Sequence, residues 1–186
     1  MRTRRHARRH HRVADWRRHG TRAITSDGTC ADTGLMPSQL NLDRVRAALL
    51  CLVNRARSSD GEVPLRPDGD LHEAAQQHTT DMVLDDYFEH ISPGGSTPLD
   101  RIRASGYLSS PGGSWEIGEN IAFGTLEEAT PAAVMARWMA SSGHRENILG
   151  ARYRATGIGV SPRVPATFAE GEPGATYTED FGSLGG

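Results

Sequence analysis

The amino-acid sequence predicts an α+β fold, an α-β-α sandwich in which a small, mainly antiparallel sheet of about three strands is flanked by helices. Four segments carry helix start signals or apolar residues at helical spacing, and three short segments rich in β-branched or aromatic residues are bounded by glycine. The loop between the last two strand candidates is too short for a crossover helix, which favours antiparallel pairing. A chain of 186 residues, 37% of them apolar, has room for one ordinary domain and a tail.

The first predicted helix covers residues 39–57, where apolar residues recur three and four positions apart, and Ser38 is its candidate N-cap. The second lies within residues 71–86, preceded by a D-x-x-E pattern that begins at Asp70. A short extended piece is expected around residues 63–65, between these two helices.

The third and fourth helices, residues 98–105 and 131–141, each begin with proline after a capping threonine, Thr97 or Thr130. Gly106 ends the third helix. The strand candidates are residues 117–124, 156–162 and 175–182.

Charge divides the chain into two parts. Residues 1–22 contain nine Arg and one Asp, whereas the remainder contains twelve Arg and twenty-two acidic residues. We therefore interpret residues 1–37 as a basic, Arg/His-rich disordered tail and linker, and residues 38–186 as the folded domain. The alternative is a tail that binds nucleic acid or an anionic surface through its charge; we do not favour a nucleic-acid partner.

The N-terminal residues lack the run of about 7 to 15 apolar residues that a secretory signal contains. No segment reaches the ~18 consecutive apolar residues of a membrane span, so we expect no transmembrane segment. The two cysteines, Cys30 and Cys51, are too far apart for a CxxC motif. A disulfide between them would pin the segment before the first helix onto the domain; the alternative is two free thiols, with Cys51 in the core.

Three polar residues in separate elements are candidates for chemistry. His90 ends the second helix and opens a loop, Glu119 lies in an apolar strand, and His144 follows a glycine after the fourth helix. A carboxylate within an apolar strand is costly unless it is paired or faces a cleft. The alternatives are a histidine that interacts with the helix dipole, a solvent-facing glutamate and a histidine that only shapes a helix joint.

If these three side chains meet, they suit Zn²⁺ or another divalent cation, and equally a general base with an orienting partner. His72 and His78 do not form a zinc-protease helix, because they are six residues apart and HExxH requires a spacing of four. We interpret His78 as a structural histidine facing the core and His72 as a surface residue.

Three motifs occur in a fixed order: H-x-S-P at His90, G-E-N-I-A at Glu119 and W-x-x-S-x-G-H-R-x-N-I-L around His144. With the segments around them they cover about residues 38–182 and resemble the CAP superfamily of cysteine-rich secretory, antigen 5 and pathogenesis-related 1 proteins in its bacterial form. The resemblance implies an α-β-α sandwich whose central cleft holds two His and two Glu. His90, Glu119 and His144 match three of these positions, and Ser141 occupies the fourth.

Because Ser141 replaces a glutamate, the resemblance does not support a four-residue cation site. It leaves His90, Glu119 and His144 as a predicted site for an optional divalent cation, with water completing it. Ser141 either hydrogen-bonds to an imidazole or to that water, or caps the fourth helix, and the helix cap is the reading we favour.

The resemblance further implies a monomer that is extracellular or associated with the cell wall. Such a protein would be exported by means of an upstream segment or by a nonstandard route. A Cys30–Cys51 disulfide would be natural in that environment. We expect a module that binds a small ligand, a lipid or a cell-wall component, and not an enzyme. The alternative is a metal-dependent, peptidase-like hydrolase in which His144 or Glu119 activates water.

Overall fold

The structure, a computed structural model, describes residues 28–109 and 113–185. The first 27 residues of the predicted basic tail lie outside the described residues. In chain order the elements are α1 (Leu42–Ser59), β1 (Arg66–Pro67), α2 (Gly69–Leu84), α3 (Pro98–Ser105), β2 (Trp115–Thr125), a 3₁₀ turn (Leu126–Ala129), α4 (Pro131–Ala140), α5 (Ser142–Ile148), β3 (Ala155–Ser161), α6 (Ala166–Ala169) and β4 (Gly174–Leu184).

The described strands form one sheet in the order β1-β3-β4-β2. β4 pairs antiparallel with both β2 and β3, and the two-residue β1 adds a short parallel pairing to β3. The predicted three-stranded antiparallel sheet is therefore confirmed, with β1 as an additional strand just after the extended piece expected at residues 63–65. β2 forms one edge of the sheet.

Helices cover both faces of the sheet, as the α-β-α prediction requires. On one face α1, α4 and α5 bury the larger core, which includes Leu49, Trp138 and Phe181. On the other face α2 and α3 bury a smaller core around Leu71 and Ile102. Because both faces are covered, consecutive residues of the central strand β4 are buried.

Two helix starts differ from the prediction. Residues 38–41 form a turn closed by the Asn41 side chain, which accepts a hydrogen bond from Ser38 N (2.8 Å), so α1 begins at Leu42 and Ser38 is not its cap. The cap of α2 is Asp68 and not Asp70, because the Asp68 carboxylate accepts hydrogen bonds from the amides of Asp70 and Leu71. α3 has the predicted start, with a complete capping box.

A disulfide joins Cys30 to Cys51, whose Cα atoms are 5.7 Å apart and which are 21 positions apart in sequence. It holds the segment before α1 against that helix, as the bridged alternative predicted. Among the described residues, no helix is long and apolar enough to cross a membrane.

Helix α2 lies directly on the backbone of β3, at the point where β3 has glycine at alternate positions. A Cβ atom on Gly157 would overlap the backbone of Leu71 and His72, and one on Gly159 would overlap the backbone of Ala75. This close approach fixes the position of α2, which carries His78 and leads into the loop of His90.

We predict that Gly159→Ala destabilises the fold by about 1–3 kcal/mol, because the added methyl group has to displace helix backbone and not a flexible side chain. Urea denaturation followed by circular dichroism measures the change. Gly94→Ala is the matched control, since nothing lies within 4 Å of its Cβ position and its φ is not positive. Equal midpoints for the two variants would contradict the packing described.

Candidate functional site

Glu119 lies in the edge strand β2, and both of its carboxylate oxygens are hydrogen-bonded. Oε1 accepts from His90 Nδ1 at 2.8 Å, and Oε2 accepts from Arg101 Nη2 at 2.7 Å. Burial acts to raise the pKa of Glu119, but the hydrogen bond from His90 and the charge of Arg101 outweigh it and hold that pKa below its usual value. Glu119 is therefore a buried, ionised carboxylate.

Arg101 comes from α3 and is almost fully buried, with 3% of its surface exposed. Besides Glu119, its guanidinium donates to the backbone carbonyls of His90 (2.9 Å) and Ser96 (3.0 Å). One side chain thus holds both the carboxylate on β2 and the loop that carries His90. The capping box at Thr97 starts α3 and so sets where Arg101 enters this cluster.

His78 lies behind Glu119 on helix α2 and is fully buried. Its Nε2 is 3.8 Å from Glu119 Oε1, and its Nδ1 is 3.3 Å from the hydroxyl of Tyr87. Burial lowers the pKa of His78 to about 4, so this imidazole is neutral at physiological pH. The interpretation of His78 as a core-facing residue agrees with this burial, and its contact with the Glu119 cluster is additional.

Asp180 stands directly opposite Glu119 in the antiparallel pairing of β4 with β2, so the two carboxyl groups share one face of the sheet. It is fully buried, and neither of its carboxyl oxygens has a hydrogen-bond partner. Burial, with the nearby negative charge of Glu119, raises the pKa of Asp180 well above its usual value. Asp180 is therefore a buried carboxyl group that resists ionisation beside the ionised Glu119.

His144 lies in the first turn of α5 and is partly buried, with its ring centroid 6.5 Å from that of Trp138. Burial lowers the pKa of His144. Ser141 lies at the joint of α4 and α5, where its amide donates to Arg137 and Trp138 carbonyls. Its side chain makes no capping hydrogen bond to α5.

Helices α4 and α5, with the segment that leads to β3, form the wall that carries His144. Their side chains bind the edge of β2 where a neighbouring strand would otherwise pair. Every second backbone carbonyl along this edge accepts a hydrogen bond from a side chain of that wall. The Ile117 carbonyl accepts from Tyr153 Oη (3.1 Å), and the Glu119 carbonyl from Asn147 Nδ2 (3.2 Å). The Ile121 carbonyl accepts from Trp138 Nε1 (3.1 Å), and the Phe123 carbonyl from Arg137 Nη2 (2.9 Å). Polar groups at a sheet edge need partners when they are covered. The register of this wall against β2 is thereby fixed.

Asn120 follows Glu119 in β2, so its side chain lies on the opposite face of the sheet, where it adds two hydrogen bonds to this attachment. Its Nδ2 donates to the backbone carbonyl of His144 at 3.0 Å, and its Oδ1 accepts from Asn147 Nδ2 at 2.9 Å. The motifs around Glu119 and His144 are thus joined to each other through Asn120 and Asn147. Both histidines are fixed to β2, His90 through its ring and His144 through its backbone.

The sequence-based reasoning did not identify Arg101 or Asp180 as part of the site. For Arg101, the available signal was a basic residue next to an apolar one, Ile102, in a short capped helix. For Asp180, it was a pair of consecutive acidic residues in an apolar strand. The expectation that His72 lies at the surface is wrong, because its Nδ1 lies 2.8 Å from the Ile158 carbonyl and the residue is partly buried between α2 and β3.

The residues present do not fit a three-ligand cation site. The described parts of the chain contain no group of three or more His, Cys, Asp or Glu side chains placed to hold a metal ion. Both oxygens of Glu119 already have donors, and the permanent charge of Arg101 beside them opposes a second cation. The predicted cation site of His90, Glu119 and His144 stays a prediction that this geometry does not favour, and we derive no chemistry through a metal.

Comparison with known families agrees with this fold and motif order. The sequence model of the cysteine-rich secretory protein family, CAP, matches residues 50–165. The chain therefore belongs to the CAP family. It is 33% identical over 130 residues to the uncharacterized protein YkwD of Bacillus subtilis, covering 70% of this chain and 44% of YkwD. The chain thus spans less than half the length of this relative.

Two solved structures resemble it. An extracellular protein containing an SCP domain from Bacillus anthracis matches with a TM-score of 0.57 and 26% identity, over 78% of this chain and 44% of the other. A cysteine-rich secretory protein from Staphylococcus aureus matches with a TM-score of 0.52 and 19% identity, over 87% of this chain and 45% of the other. The second likeness concerns the fold alone.

The buried His78 predicts a pH dependence of stability. Its folded-state pKa of about 4 lies below the ordinary 6.5, so between these values the unfolded chain binds a proton that the folded chain does not. The free energy of unfolding therefore falls as pH falls through this window, by up to about 3 kcal/mol. Urea denaturation at a series of pH values measures this loss.

A His78→Gln variant isolates this contribution, because it keeps a polar side chain that does not titrate. Glu179 acts with the opposite sign: burial raises its pKa to about 8 from 4.5, so its protonation favours the fold as pH falls through that range. The wild type should lose more stability than the variant between pH 6.5 and pH 4. Identical pH profiles would show that His78 titrates normally in the fold.

Proposed function

We propose that this chain is an extracellular CAP-domain binding module, whose cleft between His90 and His144 holds a small ligand that carries hydroxyl or amide groups, such as a cell-wall component. The observation that carries the proposal is the fixed, exposed imidazole of His90. Its side chain is 48% exposed while its Nδ1 is hydrogen-bonded to Glu119. A ring held on one side and open on the other is suited to contact a ligand.

The chemistry of His90 indicates which groups it binds. Glu119 is ionised and can only accept, so the hydrogen bond places a proton on His90 Nδ1. In the neutral imidazole, Nε2 then carries a lone pair, and it has no hydrogen-bond partner among the described residues. It therefore accepts a hydrogen bond from a ligand hydroxyl or amide, the groups that a glycan or a peptide stem supplies.

Two observations support an extracellular location. The chain has a disulfide between Cys30 and Cys51, a bond that persists in oxidising environments. The Bacillus anthracis protein that it resembles at 26% identity is described as extracellular.

A second candidate function, hydrolysis, is favoured by the same pair of residues. A carboxylate that accepts from Nδ1 orients an imidazole so that Nε2 can take a proton from water. Among the described residues, no serine, threonine or cysteine side chain is hydrogen-bonded to the ring of His90 or His144, so the site lacks the side-chain nucleophile of covalent catalysis, and water is the nucleophile left to this candidate. We propose binding as the function, and the titration below distinguishes it from hydrolysis.

The test is titration of the ¹⁵N-labelled full chain, followed by NMR, with soluble cell-wall glycan fragments and, separately, with lipid vesicles. We predict glycan-induced shifts concentrated at His90 and His144. His90→Ala and His144→Ala should each weaken binding about tenfold or more, because each removes a polar contact at the ligand. Glu73→Ala, at an exposed position of α2, is the matched control.

Three outcomes would contradict the proposal. Glycan affinity that is unchanged in both histidine variants would exclude the cleft as the binding site. Vesicle binding without glycan binding would make the ligand a lipid. Release of cleaved glycan, detected by mass spectrometry and lost in His90→Ala, would favour the hydrolase.

A further inference from the structure

We propose that the buried guanidinium of Arg101 is the resident cation of the cleft, and that it makes this site independent of divalent metal ions. Arg101 touches the carboxylate of Glu119 and the backbone of His90 at the same time. This assignment concerns the charge inside the cleft and stands whether or not the cleft binds a glycan.

The first support is the number of ligand atoms that remain free to bind a metal ion. Both oxygens of Glu119 and Nδ1 of His90 are used in hydrogen bonds of 2.7 and 2.8 Å. Of the four positions that the resemblance assigns to the cleft, Nε2 of His90 and the ring of His144 are left for a metal, since Ser141 offers a neutral hydroxyl. Protein zinc sites have at least three protein ligands, so two imidazoles form an incomplete site.

The second support is the charge balance of the buried groups. Arg101 Nη2 lies 2.7 Å from Glu119 Oε2, and only 3% and 2% of the two side chains are exposed, so their charges cancel inside the protein. A divalent ion at Glu119 would add two positive charges beside a guanidinium that already compensates this carboxylate. Burying an uncompensated charge is unfavourable, which opposes such binding.

The third support is what the guanidinium connects. It links α3 to the Ser96 carbonyl, to the His90 carbonyl and to the side chain of Glu119. A bridging metal would hold the same loop and strand together, but its occupancy would depend on supply and on pH. Arginine stays charged at all physiological pH values, so the connection is permanent.

The experiment is a Zn²⁺ titration of the full chain, read from the imidazole ¹⁵N and ¹H signals of His90 and His144. A site-resolved signal is needed because four further histidines lie within residues 1–19. In the wild type we expect no Zn²⁺-dependent change at His90 or His144. In Arg101→Gln the carboxylate is released, and we expect Zn²⁺ binding at both rings, at least about tenfold tighter than in the wild type.

Two controls separate this effect from a general loosening of the fold. Arg101→Lys keeps the positive charge and should behave as the wild type does. Adding Glu119→Gln to Arg101→Gln should abolish the gained Zn²⁺ affinity, because the released carboxylate is then absent.

The proposal is overturned if wild-type His90 and His144 signals respond to Zn²⁺ and this response weakens in Glu119→Gln. It is also overturned if folded Arg101→Gln gains no affinity. If Arg101→Gln does not fold, the wild type and Arg101→Lys decide: Zn²⁺ binding at the two rings in either protein contradicts a resident cation. Failure of the glycan titration would leave these Zn²⁺ results unaffected.

Discussion

An ionised carboxylate buried as deeply as Glu119 is stable only if its charge is compensated inside the protein, and Arg101 provides that compensation at 2.7 Å. Because the same guanidinium also binds the His90 carbonyl, the pair that neutralises the charge positions the imidazole as well. Helix α3, the loop after α2 and strand β2 are therefore held together at one point. The orientation of His90 follows from this pair, since Glu119 has one oxygen left to accept from Nδ1.

The position of His144 depends on a different constraint, the edge of β2 that is not paired with a strand. In most sheets an edge carbonyl binds water or another strand, but here side chains of the α4 to β3 region, among them Trp138 and Asn147, occupy the edge. This explains why the tryptophan and the asparagine of the W-x-x-S-x-G-H-R-x-N-I-L motif accompany His144. They align the helix pair on β2, and the position of His144 is set as a result.

Apolar periodicity and capping residues were sufficient to predict helices α1 to α4 and the antiparallel sheet, whereas the meeting of His90 with Glu119 was predicted by the family resemblance and not by the spacing of the residues. The sequence was not sufficient for Arg101, since every basic residue of the chain is arginine and the residue type carries no information here. Asp180 was missed because a strand alternation suggests one exposed face, whereas β4 is covered on both. His90, Glu119 and His144 were predicted as metal ligands because residue spacing does not reveal that both oxygens of Glu119 already accept hydrogen bonds.

The central claim is that Glu119, held by Arg101, fixes His90 with Nδ1 protonated and Nε2 open to the cleft. The most direct measurement is a long-range ¹H–¹⁵N correlation spectrum of the His90 imidazole in the full chain at neutral pH. It should give the tautomer with the proton on Nδ1 and an unprotonated Nε2, and Glu119→Gln should disturb this preference. A wild-type ring with its proton on Nε2 and a bare Nδ1 would contradict the account.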